Sequence, residues 1–339
     1  MNKKRVASIA ISAALLTAIA LKLDIKSAIN SIGTIALSTL ALALMINIIG
    51  SVVLNTAQIY QQLQTHENPA NRLMLFLRLL RIDFIIRFYS LVMPTAATAV
   101  VRWYLFMKIG INHTLSGLAV ITNKILNSLY IILFSIIALP GIVAAHKLSG
   151  WPVFFATACL IFAAIALVAS IFAIEGRQAS TLVARLAYTA KKIPMNFFKE
   201  RRRTLFISAN TLKKKQRKSN RDLKNISIIF FWPLLSFLLV AQSQQIILYG
   251  LGLELSLTEA LFFRAATLLA LMIPFSFAGI GFRELGAIGI LNGVYGYPVE
   301  LALACSLVLF LFQLIISAIG FVLSIAEPPA SRLEKGVQT

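Results

Sequence analysis

The sequence predicts an all-α, polytopic integral membrane protein, and three observations predict it. Hydrophobic residues make up 59% of the 339 and charged residues 13%, against about 25% charged in an average soluble domain. Several apolar runs reach the ~20 residues that carry a helix across a bilayer. Two further apolar runs are broken by a proline, at Pro94 and Pro274, where the missing amide and the bulky ring interrupt a helix. About six full spans plus two re-entrant broken hairpins then account for the chain. No polar segment is long enough for a second core, so residues 1–339 read as a single membrane domain.

Taken in order, Lys3-Lys4-Arg5 and the apolar run 6–21 resemble the charged and apolar regions of a signal peptide. No clear small-residue cleavage site follows Leu21, so an uncleaved first helix is expected. Residues 32–54 make the second span, and the polar stretch 58–71 with Pro69 reads as a loop. Residues 73–108 are apolar but carry Arg78, Arg81, Asp83, Arg87 and Arg102, and Pro94 splits them. Residues 115–139 form a full span that contains Asn123, Lys124 and Asn127. A turn is expected over 140–152 and a span over 153–174. After the basic segment, 226–249 spans with Pro233 near its start, an acidic loop follows with Glu254 and Glu259, and 299–326 spans again.

Charge fixes the orientation. The net charge is +20, and between Arg177 and Lys224 there are 15 Lys or Arg against two acids, Glu200 and Asp222. Beside membrane spans such a segment reads as a cytoplasmic loop, attractive to anionic headgroups, and not as a nucleic-acid site. With 177–224 inside, both termini fall inside. The hairpin at Pro94 then enters and leaves by the cytoplasmic face, and the hairpin at Pro274 by the outer face. Residues 6–139 and 153–326 thus each read span, span, broken hairpin, span, from opposite sides. That is an inverted-topology repeat, and in transporters paired broken segments mark a substrate site near the midplane. Pro94 precedes Arg102 by eight residues and Pro274 precedes Arg283 by nine.

The second break carries the strongest motif, Pro274-Phe-Ser-Phe-Ala-Gly-Ile-Gly-Phe-Arg-Glu284. Gly279 and Gly281 free the backbone where a second half-helix starts, and Arg283 follows in its first turn. A helix N-terminus disfavours a cation unless an anion is near. Glu284 is adjacent, and adjacent residues on a helix do not face each other, so an external anion such as a lipid phosphate is the expected partner. A structural ion pair to a neighbouring helix is the alternative. Arg264 either converges on this site or snorkels outward. Arg102, followed by Trp103 and Tyr104, is either a site residue or part of an interfacial belt. Asp83–Arg87 has the spacing of a structural helical pair, and Lys124 is a cavity candidate.

The run from Pro274 to Glu284 resembles the P-x-S-x-x-G-x-G-x-R-E signature of the lysylphosphatidylglycerol synthase transmembrane family, whose members look like flippases for lipids or lipid-linked sugars. Pro274, Ser276, Gly279, Gly281, Arg283 and Glu284 match it. The first half keeps Pro94 and Arg102 but has no glycine or acid between them. The resemblance implies a substrate that is an anionic phospholipid or a polyprenyl-phosphate-linked saccharide, in the cell membrane. The soluble aminoacyl-transferase domain of the lysyl-lipid synthases has no counterpart here, so lysyl transfer by this chain is not expected.

Three functions follow: a flippase-like transporter, an accessory subunit that meets anionic lipid or envelope-biosynthesis enzymes through the basic loop, or a membrane-embedded lipid transferase. The last needs a general base, and Glu284 is the one strong candidate. His66, His113 and His146 have no ligand spacing, and Cys159 and Cys305 lie in apolar runs. No catalytic residue, metal or cofactor is therefore expected.

Overall fold

A computed structural model of the protein describes residues 25–63, 72–93, 95–145, 161, 223–271 and 281–326. Among the described residues the secondary structure is helical, with no strand. Helix α1 (Ile25–Gly33) turns into α2 (Leu37–Ile48), which runs through a one-turn π segment (Ile49–Val53) into α3 (Leu54–Leu63). Then come α4 (Arg72–Val92), α5 (Thr95–Lys108) and α6 (His113–Ala145). The second half supplies α7 (Leu223–Gly250), α8 (Leu257–Leu271), α9 (Phe282–Leu291) and α10 (Val299–Ile325). Four stretches are long and apolar enough to cross a membrane: Leu37–Leu63, Leu115–Ile137, Phe230–Gly250 and Val299–Ile325. The expected spans over 6–21 and 153–174, and nearly all of the basic segment 177–224, lie outside the described residues.

Helix ends follow local chemistry. Leu253 N–H reaches back to the Leu248 carbonyl and Gly252 has φ 78°, the glycine-based stop in which a left-handed residue lets orphan carbonyls be satisfied. Ser256 and Glu259 start α8 with a capping box: Ser256 N–H donates to Glu259 Oε2 at 2.8 Å, and Glu259 N–H to Ser256 Oγ at 3.3 Å. The break between α4 and α5 falls at Met93–Pro94, where the proline is expected to place it, although Pro94 itself lies outside the described residues.

Two boundaries differ from the sequence reading. The second span is not 32–54 but Leu37–Leu63, because the helix continues through Asn55, Gln58 and the residues between them. Apolar content ends there, but these polar side chains are buried against one another, so the chain stays helical. The turn expected from Pro140 is also displaced, since α6 runs on to Ala145. One proline removes one backbone hydrogen bond, and in packed membrane helices that loss is tolerated. Pro233 lies inside α7 in the same way.

The halves interlock reciprocally. Within the first half α4 packs on α5 and α5 on α6, and within the second α8 packs on α9 and α9 on α10. Between the halves α10 packs along α4, and α6 packs along α8. Exchanging α2–α3 with α7, α4 with α8, α5 with α9 and α6 with α10 maps each of these pairings onto another. The α2–α3 rod and α7 pack directly on each other at the centre.

Specific contacts fix the registers. Ser236 Oγ donates to the Gly50 carbonyl and Ser243 Oγ to the Ala43 carbonyl, both at 2.7 Å, so α7 is antiparallel to α2. Gly50 leaves no Cβ where the Val240 side chain approaches. On the other side Arg81 Nη2 donates to the Leu323 carbonyl at 3.0 Å, and Ser317 Oγ to the Arg87 carbonyl at 3.1 Å. Between these bonds Gly320 lies against the backbone of Phe84. Helix α4 therefore runs antiparallel to α10, and its end at Val92 comes level with the middle of that span.

Candidate functional site

Charge in the helical core collects in two clusters, one in each half. In the first, Asp83 of α4 is 2% exposed and accepts from Arg102 Nη2 of α5 at 2.5 Å and from Asn55 Nδ2 of α3 at 2.9 Å. Arg102 Nη1 also donates to Asn123 Oδ1 of α6 at 3.2 Å. Asn123 Nδ2 in turn reaches Asn55 Oδ1 at 2.8 Å and Gln58 Oε1 at 2.9 Å. Four helices are thus tied by one polar knot. An arginine buried in a span demands such partners, because an unpaired charge at the helix centre costs at least ~2.5 kcal/mol.

The second cluster sits at the start of α9. Gly281, at φ 89°, is the N-cap, and its amide donates to Glu284 Oε2 at 2.6 Å. That bond turns the carboxylate back over the helix end, where Arg283 Nη2 meets Glu284 Oε1 at 2.7 Å. Arg283 also bonds Ser306 Oγ at 3.3 Å and Gln313 Oε1 at 3.2 Å, both on α10, and its Cζ lies 4.7 Å from the centre of the Phe310 ring. The expectation that adjacent residues would leave Arg283 needing an external anion is corrected by this geometry. At a helix start the first-turn side chains are not locked into the interior side-chain array, so a backward-folded Glu284 can meet its neighbour. Both residues are buried and satisfied within the protein.

The clusters correspond in place. Each arginine lies in the second member of its broken pair, Arg102 at its middle and Arg283 in its first turn, pairs with a carboxylate, and bonds to the long helix that follows. The acid comes from different positions: Asp83 from the preceding helix, Glu284 from the residue alongside. Arg102 and Arg283 share no partner, so the sequence-predicted residues form two sites and not one.

Two further arginines are less fully compensated: Arg87 shares the carboxylate of Asp83 with Arg102, and Arg264 faces an aromatic ring. Arg87 of α4 donates through Nη2 to the carbonyl of Ser51, inside the π segment, while its Nε is buried with no partner. Asp83 Oδ2 lies 4.0 Å away and pairs with Arg87, while Oδ1 of the same carboxylate holds Arg102. Arg264 of α8 stacks over the Phe237 ring of α7 at 4.9 Å, and its Nε is likewise buried without a partner. Its charge and that of Arg87 are close enough to repel. Ser51 adjoins Gly50 and Phe237 adjoins Ser236, and Gly50 bonds Ser236, so both guanidinium groups reach the same helix crossing.

Lys124 stands apart from these groups: it is exposed on α6, one residue past Asn123 and outside the polar knot. Pro94, Pro274, Ser276 and Gly279 lie outside the described residues. The partners that sequence reasoning missed are Asn55 and Gln58, placed in or beside a loop, whereas the helical pair expected between Asp83 and Arg87 is present. The signal for the missed pair was available: two amides one turn apart at the end of an apolar run.

Among curated proteins none matches the chain. A family model described as the lysylphosphatidylglycerol synthase TM region matches residues 5–320. That match takes in the described spans and both clusters, and the chain, a membrane protein by its own helices, belongs to the lysylphosphatidylglycerol synthase TM region family.

Proposed function

We propose that this protein is a flippase-like transporter that binds an anionic phospholipid or a polyprenyl-phosphate-linked saccharide and moves it between leaflets. The observation that carries the reading is the reciprocal packing of two broken helix pairs, each with an arginine anchored to the next long helix. Membership of a lipid-associated membrane family supports it. In this reading 6–139 and 153–326 are inverted repeats, α4–α5 dips in from the cytoplasmic side, and α8–α9 dips in from the outer side. The half-depth end of α4 against α10 supports the first of these hairpins. Alternating access is then a rocking of one half against the other around a site near the midplane.

The protein acts without chemistry on its substrate. Glu284, the carboxylate that a transferase would use as a base, has both oxygens engaged, by Gly281 and by Arg283 and Ser306. The accessory-subunit reading draws on the basic segment 177–224, whose 15 cations against two acids suit an anionic surface. Reconstitution separates the two. Proteoliposomes carrying a headgroup-labelled anionic phospholipid or a labelled polyprenyl phosphate should exchange it between leaflets faster than empty liposomes. Binding of the protein to anionic vesicles with no gain in exchange would favour the accessory role.

A further inference from the structure

We propose that Arg87 and Arg264 together form a binding site for a single phosphate-type anion at mid-depth, one guanidinium contributed by each half of the protein. The site rests on the transport reading for its role but not for its chemistry. The two like charges repel, and the one carboxylate at hand among the described residues, Asp83, is shared by Arg102 and Arg87, so three guanidinium groups face a single acid. Each guanidinium is steered by a fixed contact: Arg87 by the Ser51 carbonyl, Arg264 by the Phe237 ring. Each keeps a buried Nε–H that nothing among the described residues accepts. Buried donors are rarely left unmade, and two guanidinium forks at one helix crossing match the oxygens of a phosphate ester better than any single neutral acceptor.

Depth agrees with this role. Gly50 and Ser51 stand at the middle of the Leu37–Leu63 span, and Phe237 lies opposite them through the Ser236–Gly50 bond. Arg283 is the contrasting case. It belongs to the family motif but is closed on itself by Glu284, Ser306 and Gln313, so it braces the helix start. The anion would therefore be held beside the motif and not by it.

Affinities of the full-length protein in detergent for phosphatidylglycerol, a polyprenyl phosphate, inorganic phosphate and phosphatidylcholine, read by native mass spectrometry, test the site. Arg264→Met should weaken binding of the anionic probes by roughly tenfold to a hundredfold, the range of one charge-assisted contact. Arg264→Lys should recover part of that loss. Without lipid, Arg264→Met should unfold at the same temperature as the wild type or higher, because one of two repelling charges is gone. Arg87→Met should also lose binding, though it surrenders the Ser51 contact as well.

Whichever anionic probe binds tightest identifies the source of the phosphate, and tight inorganic phosphate with weak lipid would assign the site to the free ion. Wild-type affinity for every probe in both methionine variants would overturn the site. So would loss of binding by Arg264→Met accompanied by a drop in its own stability. Lipid exchange that persists in Arg264→Met at unchanged affinity sinks this site alone. Binding that needs Arg264 in a wild-type protein that moves no lipid keeps the site and sinks the transport reading.

Discussion

The Arg283–Glu284 pair shows how little a residue's neighbours in sequence reveal about its partners in space. Spacing alone separated them, because in a helix interior adjacent side chains diverge. The glycine at position 281 changes that, since its positive φ starts the helix abruptly and its amide draws Glu284 backward. Removing Arg283 therefore strands a buried carboxylate. Breaking a buried pair costs about 3–5 kcal/mol, so Arg283→Ala should lower the unfolding temperature in detergent sharply. Glu284→Gln, added to it, should restore much of the loss, because the amide oxygen still accepts from Gly281 while no bare charge remains. A stable, well-expressed Arg283→Ala would mean that the arginine is free to serve a ligand after all. At this scale the motif was legible in the sequence and its pairing was not.

At the scale of elements, the sequence marked breaks better than ends. The described helices end at Val92 and Leu271, close before Pro94 and Pro274, and the second half-helix begins at the glycine expected to start it. The errors arose where hydropathy stood in for burial. Asn55 and Gln58 look like the start of a loop to any measure of apolar content, yet they are inside, bonded to Asn123 and, for Asn55, to Asp83. No local pattern announces a partner that lies two helices away. Close helix approach was equally hidden. Nothing about Gly320 in the sequence distinguishes it from other glycines of apolar runs, but a Cβ there would fall on the Phe84 carbonyl. Gly320→Ala should push α10 off α4 and destabilise by about 1–3 kcal/mol, the range for overpacking a tight contact. Gly289→Ala, in open space on α9, is the matched control and should be close to neutral. Equal melting temperatures for the two variants would mean that the α4–α10 contact yields easily.

For the whole molecule, the all-α membrane class was readable from composition and the length of the apolar runs. The exchange of partners between halves was not, because it depends on which helix crosses which. Topology remains the property that ties these scales together. If the segment 177–224 is cytoplasmic, a cysteine introduced at Ser219 should resist impermeant thiol reagents in intact cells and react after lysis. Labelling in intact cells would reverse the sides of both hairpins, although the reciprocal packing itself would stand. Lowering the charge of the segment, by changing Lys213, Lys214, Lys215 and Lys218 to Gln, should weaken adhesion to anionic vesicles by about 1 kcal/mol per residue at low salt. Adhesion that ignores these changes would remove the segment from any role at the membrane surface.

The π turn at Ile49–Val53 has a consequence for the length of the chain itself. A turn that closes over five residues in place of four holds one residue more than the α-helix on either side of it requires. That residue is a surplus the rod can lose without being rephased. Deleting Ser51 should heal the turn into ordinary helix and keep Ala43 and Asn55 pointing at their partners. Deleting a residue of α2 outside the turn, Leu42 for instance, should instead swing everything on one side by about 100° and scatter the amides from Asp83. The two shortened proteins differ by nothing in composition that matters to a membrane, yet one should fold and the other should not. What the survivor lacks is the Ser51 carbonyl that steers Arg87, so it should be a sound scaffold with its central arginine set adrift.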